Sequence, residues 1–407
     1  MTARKSVEFV DVDGKCPFQY YEQARARESV EFEDRTGFWI AAGYSAASNV
    51  LTDEETFPRF LPEEIVTDPK YVRTVATPSF LLGEERVKHH KWWLQLFNAK
   101  ELARYRRDIV SGVVSATIDE FAGNGTVNLI SEFTEPVADR VIAAVLGLPW
   151  HDAEWMAELR HNFDLTERYK ESIYLKPAES KQFAEAALAG TYRIDELIRP
   201  YMERRKQTPD DTVMSRIFHD DALEGWSEDE RYGLARTFFT GGSGTTSVQI
   251  GNAVCLMLQT EGMVEQLVDG DSELTARFVE EALRLVPTNH FRSRKIAADT
   301  VFEGANLEKG QVIAAVIASG NRDESRYMNA HELDLTRPNP RQHLTFSVGI
   351  GACVGSGLAR VILQESIAAL TSRLTGMRLD TAMGVPELRG SMFRPYTPIH
   401  LTFEAAK

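Results

Sequence analysis

Three short segments of this chain carry residue types whose spacing can do chemistry. HLTFSVGIGACVGSGLAR, residues 343–360, is a glycine-rich loop around a single cysteine, Cys353, that runs directly into an amphipathic helical segment. A lone cysteine is more often a small buried hydrophobe than a ligand, but backbone N–H groups at a helix start stabilise a thiolate. The glycines would let such a loop approach a flat group closely. GGSGTT, residues 241–246, sets three glycines and two threonines inside an apolar stretch. In FVEEALRLVP, residues 278–287, Glu281 and Arg284 are one helical turn apart and so able to pair.

The glycine–threonine segment admits several readings. A Walker-type phosphate loop needs a lysine after its last glycine, and Gly244 is followed by Thr245. A dinucleotide fingerprint needs GxGxxG after a strand, which GGSGTT does not supply. A linker would have polar flanks, whereas LARTFF precedes and VQIGNAVCLMLQ follows. What remains is a helix carrying three costly glycines, at ~1 kcal/mol each relative to alanine. Such a turn makes room for a bulky planar group, and loosening it would free carbonyls and hydroxyls for a ligand. A kinked core helix without function is the plain alternative.

The elements that must position these segments are mostly helical. Apolar periodicity predicts helices over 99–121, 132–147, 179–205, 228–261, 273–286 and 355–375. Short β-prone pieces lie at 37–41, 300–303, 311–317 and 399–403, with a tight turn at 306–311. Neither a repeat nor a Pro/Gly-rich linker divides the 407 residues, so a single mainly α domain over 1–407 with a small β component is expected. A net charge of −14 argues against nucleic acid as a partner. Cys16, Cys255 and Cys353 are too few and too scattered for a disulfide framework. With neither a secretory signal nor an apolar run of the ~18 residues a membrane span needs, a soluble cytoplasmic protein is expected.

Taken in order, the glycine–threonine helix, ExxR and the Phe–glycine–Cys loop resemble the cytochromes P450, the haem-thiolate monooxygenases. The resemblance covers most of the chain. CPFQYYEQAR (16–25) is similar to the family's N-terminal opening, PTNHFRSRKIAAD (287–299) to the segment after ExxR, and GNRDESRYMNAHELDLTRPNPRQHLTF (320–346) to the bacterial run into the haem loop. It implies the family fold, with haem b (iron protoporphyrin IX) buried between a distal helix and the Cys-bearing proximal loop. It makes Cys353 the axial ligand of the haem iron, with Phe346, Gly349 and Gly355 shaping the loop. Glu281 and Arg284 become a structural ion pair, joined by Arg337. Arg294 and His343 match positions that contact the haem propionates. In the early helix, Arg86 and His90 match a second propionate pair in reversed order. Gly241, Gly242 and Thr245, with Thr246 beside them, match the distal site where a threonine hydroxyl organises oxygen and water.

The departures from the family pattern bear on the reaction. Gly244 replaces the acid of the distal acid–alcohol pair, Ser347 stands where a glycine is usual, and Gly351 where bacterial members usually carry a histidine. Without the acid, Ser243, Thr245, Thr246, ordered water or the substrate itself would carry protons. Two enzymatic readings stay open: hydroxylation of a small specialised metabolite with O2, or chemistry without oxygen insertion, such as radical coupling, desaturation, or nitric oxide or peroxide reactions. A non-catalytic haem sensor is a third. Thr237, Thr240, Asn289, His290, Met392 and Phe393 are expected to line the substrate pocket, whose polarity suggests a cyclic dipeptide or amino-acid derivative. Phe57, Phe60 and Phe80 line its entrance or belong to the core. Basic residues gather between Arg86 and Arg107 against one acid, Glu101. On the family's proximal face they would dock an acidic ferredoxin, fed by a ferredoxin reductase from NAD(P)H.

Overall fold

The computed structural model describes residues 17–27, 29–60, 83–175 and 177–405. Cys16 and Phe80 lie outside the described residues. The chain forms two compact units interleaved in sequence, one from Met1–Arg59, Val114–Glu135 and Thr245–Lys407, the other from Phe60–Val113 and Pro136–Gly244.

The first unit is built on a four-stranded sheet. Val30–Glu33 pairs antiparallel with Phe38–Ala41, which runs parallel to Val312–Ala315, and Arg292–Lys295 closes the far side antiparallel. Alternation along Val312–Ala315 and Phe38–Ala41 sends Ile313 and Ala41 into a core shared with Val50, Leu51 and Phe57. Phe57 is thus a core residue, edge-on to Phe302 with ring centroids 5.0 Å apart. Helix Tyr44–Thr52 packs Ala46, Ala47, Val50 and Leu51 toward this core, and Asp323 accepts the Tyr44 N–H at 2.7 Å. Helix Ser272–Leu285 begins at Asp271, whose carboxylate accepts from the Leu274 N–H. It packs against helix Ser356–Arg373.

In the second unit the long helices Ala153–Leu175 and Pro177–Gln207 lie against each other. Gly190 lets them approach, since a Cβ there would come within 2.9 Å of the Asn162 carbonyl. Helix Gly83–Leu96 seats Trp93 against Phe238, and His89 stacks on Trp226 at 5.0 Å.

Most expected helices appear within a few residues of their predicted ends. The 99–121 segment is helical as Ala99–Tyr105 and Ser111–Asp119 around a π turn at Arg106–Val110. Helix Ala153–Leu175 and strand Arg292–Lys295 were not predicted. The strand reads as charged in sequence because its arginines gain partners only in the fold. Among the described residues, no helix is long and apolar enough to cross a membrane.

Candidate functional site

The loop before Cys353 is two tight turns fixed by its own backbone. Ser347 N–H donates to Leu344 O at 2.7 Å, Ala352 N–H to Gly349 O at 3.0 Å, and Cys353 N–H back to Phe346 O at 2.7 Å. Gly349 has φ +66°, and a Cβ there would meet Thr52 Cγ2 at 3.1 Å, so glycine is required twice over. Ser347 has φ 58° and ψ −175°, a region that glycine alone adopts readily. Phe346 lies under the Arg360 guanidinium, 4.6 Å from its ring centroid.

Cys353 ends this loop immediately before helix Ser356–Arg373, with its side chain exposed to an approaching group. Protein mass around the sulfur raises its pKa, while the Gly355 and Ser356 amides and the charges of Arg292 and Arg360 act in the opposite sense. On balance the proton is held more tightly than on a free cysteine, so a metal ion that replaces it has to supply the charge that stabilises the thiolate.

Behind the loop, Glu281 and Arg284 form a fully buried two-pronged pair, both contacts at 2.8 Å. Arg337 adds a third contact to Glu281 at 3.0 Å, as expected of the network. Arg284 also donates to the carbonyls of Asn321, Ala330 and Glu332, pinning the segment that leads to the loop. Asn321 in turn accepts the Leu344 N–H at 2.7 Å and donates to the Thr345 hydroxyl at 2.9 Å.

A second buried carboxylate, Glu280, escaped the sequence reading. It receives Arg360 at 2.5 Å and His343 Nε2 at 3.1 Å, with Arg341 at 3.5 Å. The doubled glutamate of EEALR and the arginine of GLAR were the available signals. His343, expected at a propionate, donates through Nε2 to Glu280 as a member of this cluster. Burial lowers its pKa, and a neutral ring donating through Nε2 leaves Nδ1 as an acceptor, buried without a partner among the described residues. Arg294 is buried on strand Arg292–Lys295, with Nη1 donating to Ser293 O.

Helix Glu228–Gln259 runs without a break through GGSGTT, so the expected loosened turn is absent. Gly241 and Gly244 are exposed with open space beside them, and Thr237, Thr240 and Thr245 are half-buried on the same stripe. Gly242 serves another end: a Cβ there would strike Ile142 Cδ1 at 2.5 Å, so this glycine makes room for a packed helix rather than for a ligand. Thr246 is buried away from the stripe. The Thr245 carbonyl accepts from the Thr288 hydroxyl at 3.1 Å, and Thr288 is held by Gln249 at 3.0 and 3.1 Å. Ser243 turns inward to Asp139, which Arg160 also contacts at 2.8 Å.

Of the residues expected to line the pocket, Thr237 and Thr240 belong to the second unit and Asn289, His290, Met392 and Phe393 to the first. His290 is fully buried, with Tyr21 OH 3.1 Å from its Nδ1 and Phe18 beside its ring; burial pushes its pKa well down, making it a neutral core histidine. Thr237 and Thr240 donate to the helix carbonyls of Gly233 and Arg236. Asn289 bridges to Phe393, and its Oδ1 is buried without a partner among the described residues. Met392 is buried and its carbonyl accepts the His290 N–H. In the second unit, Arg86 is buried and His90 half-buried, one turn apart on helix Gly83–Leu96.

An accessible cysteine before a helix, braced by a buried ExxR pair, is the arrangement of a haem-thiolate protein. Residues 270–377 match the family described as Cytochrome P450. The chain is 26% identical over 390 residues to a putative cytochrome P450, YjiB, of Bacillus subtilis, covering 93% of this chain and 92% of that protein. It is 28% identical to a mycinamicin IV hydroxylase/epoxidase of Micromonospora griseorubida, covering 86% and 84%. The crystal structure of the versatile enzyme CYP109B1 from Bacillus subtilis superposes with a TM-score of 0.81 at 23% identity, covering 96% and 100%. Over nearly its full length the chain is a distant homologue of the bacterial cytochromes P450, the monooxygenases with a haem-thiolate cofactor.

Proposed function

We propose that this protein hydroxylates a small specialised metabolite with O2, residues 1–407 acting as one catalytic domain with Cys353 as the axial ligand of haem iron. The observation that carries the reading is Cys353 itself, exposed at the end of a glycine-rich loop immediately before helix Ser356–Arg373 and backed by the buried Glu281–Arg284 pair. The donor set fits the cofactor: a soft thiolate for iron, glycine backbone for close approach, and the cation Arg294 for a carboxylate. Bound there, the haem supplies dioxygen activation.

The chain's own groups do the rest. Amides of Gly355 and Ser356 face the sulfur and offset part of the cost of a buried thiolate, and the Glu281–Arg284–Arg337 network keeps the loop in register. Thr245 is half-buried on the open stripe, its carbonyl fixed by Thr288, and its hydroxyl passes protons from water. Gly241 and Gly244 keep that stripe bare, leaving space for substrate. The loss of His290 from the pocket and the backbone bonds of Thr237 and Thr240 withdraw support from an amide-rich substrate. Kinship with a protein named a hydroxylase/epoxidase supports oxygen insertion. Electrons come from NAD(P)H through a ferredoxin reductase and a ferredoxin, attracted by exposed Lys88, Lys91 and Lys100.

The reduced carbon monoxide complex should show the red-shifted Soret band of thiolate ligation, and Cys353→Ser should abolish it while the fold persists. A wild-type spectrum without that band refutes the proposal. Gly244 favours a second reading, oxidative coupling or desaturation, because no carboxylate stands beside Thr245 in the chain to relay protons. Product mass decides: hydroxylation adds one oxygen atom, whereas coupling only removes hydrogen.

A further inference from the structure

The Cys loop contains a position whose side chain is missing and whose space is occupied from elsewhere. A Cβ built on Gly351 would come within 2.8 Å of Nη2 of Arg59. The same nitrogen donates to the Gly351 carbonyl at 3.3 Å, and Nε of Arg59 lies 3.5 Å from Glu54 Oε1. Arg59 and Glu54 are both half-buried. The guanidinium is thus held at the root of the side chain that residue 351 lacks, two residues before the iron-binding cysteine. It reaches there from the segment after helix Tyr44–Thr52, whose end also packs on the loop through Thr52 and Gly349.

Haem carries two carboxylates, and withdrawing a carboxylate from water is costly unless cations and hydrogen-bond donors meet it. Arginine does this best, because its planar fork matches both oxygens. The anionic cluster behind the loop cannot supply such a cation: Arg360, Arg341 and His343 all converge on Glu280. Resting on the haem-thiolate reading above, we infer that Arg59 binds a haem propionate, supplying from outside the loop the polar side chain that Gly351 does not provide. Glu54 and the Gly351 carbonyl hold two edges of the guanidinium and orient it. A purely mechanical strut between Glu54 and the loop is the competing role.

The test compares haemin with haemin dimethyl ester, whose carboxylates are capped, by the rate at which each leaves the loaded protein for an excess of a haem-scavenging globin. Wild type should hold haemin longer than the ester. Arg59→Gln, which keeps a donor for the Gly351 carbonyl but removes the charge, should release haemin roughly tenfold faster and bring the two rates together. Adding Gly351→Arg to Arg59→Ala should restore the difference, since the space vacated admits the new side chain. If Arg59→Gln and Arg59→Ala leave the haemin-to-ester ratio at its wild-type value, Arg59 is only a strut and the inference fails. If wild type takes up haemin without thiolate ligation, the haem-thiolate reading fails and this assignment falls with it.

Discussion

At the scale of the residue, the loop and the distal helix show how single side chains trade stability for shape. Ser347 holds a backbone conformation that only glycine tolerates well, and its hydroxyl is buried without a partner among the described residues. Such strain costs ~1–3 kcal/mol. Ser347→Gly should therefore stabilise the haem-loaded protein by about 1 kcal/mol, read as a higher urea midpoint at unchanged slope. The distal glycines separate by what surrounds them. Gly244→Ala meets open space and gains helix propensity, whereas Gly242→Ala drives a methyl into Ile142. The first variant should exceed the second in stability by about 2 kcal/mol, and equal melting temperatures would contradict the packing role of Gly242. Thr245→Ala should divert electrons to peroxide, measured as peroxide formed per NAD(P)H consumed; undiminished coupling would place the proton path elsewhere.

At the scale of the element, two adjacent glutamates on helix Ser272–Leu285 tie it to the segments around the Cys loop. Glu281 is wholly buried between Arg284 and Arg337, so Glu281→Gln leaves two buried cations short of their counter-charge. The expected loss is ~3–5 kcal/mol, measured by denaturant unfolding of the haem-loaded protein. Glu280 sets an acid limit. Its burial alone would raise the pKa, but hydrogen bonds from His343 and Arg360 and the Arg360 charge outweigh that and hold it below the ordinary glutamate value. A carboxylate depressed in the folded state adds stability above its unfolded pKa and loses it as pH falls through the folded one. His343, with its pKa lowered by burial, acts in the same direction below its ordinary range. Stability should accordingly decline from near neutrality downward and steepen below the glutamate range. Glu280→Gln should flatten the acid part of that curve.

At the scale of the whole molecule, charge governs association. The net charge of −14 repels an acidic partner in general, so a local basic surface has to overcome it. Part of the basic run is neutralised on the spot: Arg104 pairs with Glu101 at 2.6 Å and Arg107 with Asp108 at 2.6 Å. Lys91 on helix Gly83–Leu96 and Lys100 on helix Ala99–Tyr105 are exposed. Replacing both with glutamate should slow electron transfer from an acidic ferredoxin about tenfold at low ionic strength. The deficit should shrink at high salt, where screening removes the attraction; a salt-independent rate would place docking on another face.

The sequence by itself determined the helical periodicity, the order of the three motifs and hence the family, because each is written in local spacing: Cys353 before a helix start, Glu281 and Arg284 a turn apart, glycines clustered at 241–244. It also made Arg337 a partner for Glu281, through resemblance rather than physics. Only the tertiary structure decided which side chains meet across distant segments. His343 goes to Glu280, His290 to Tyr21, Gly242 to Ile142 and Arg59 to Gly351. Spacing along a chain shows which residues share a face of one element. What fills the space opposite that face depends on packing, which brings together residues up to hundreds of positions apart and is recorded in no single stretch of the chain.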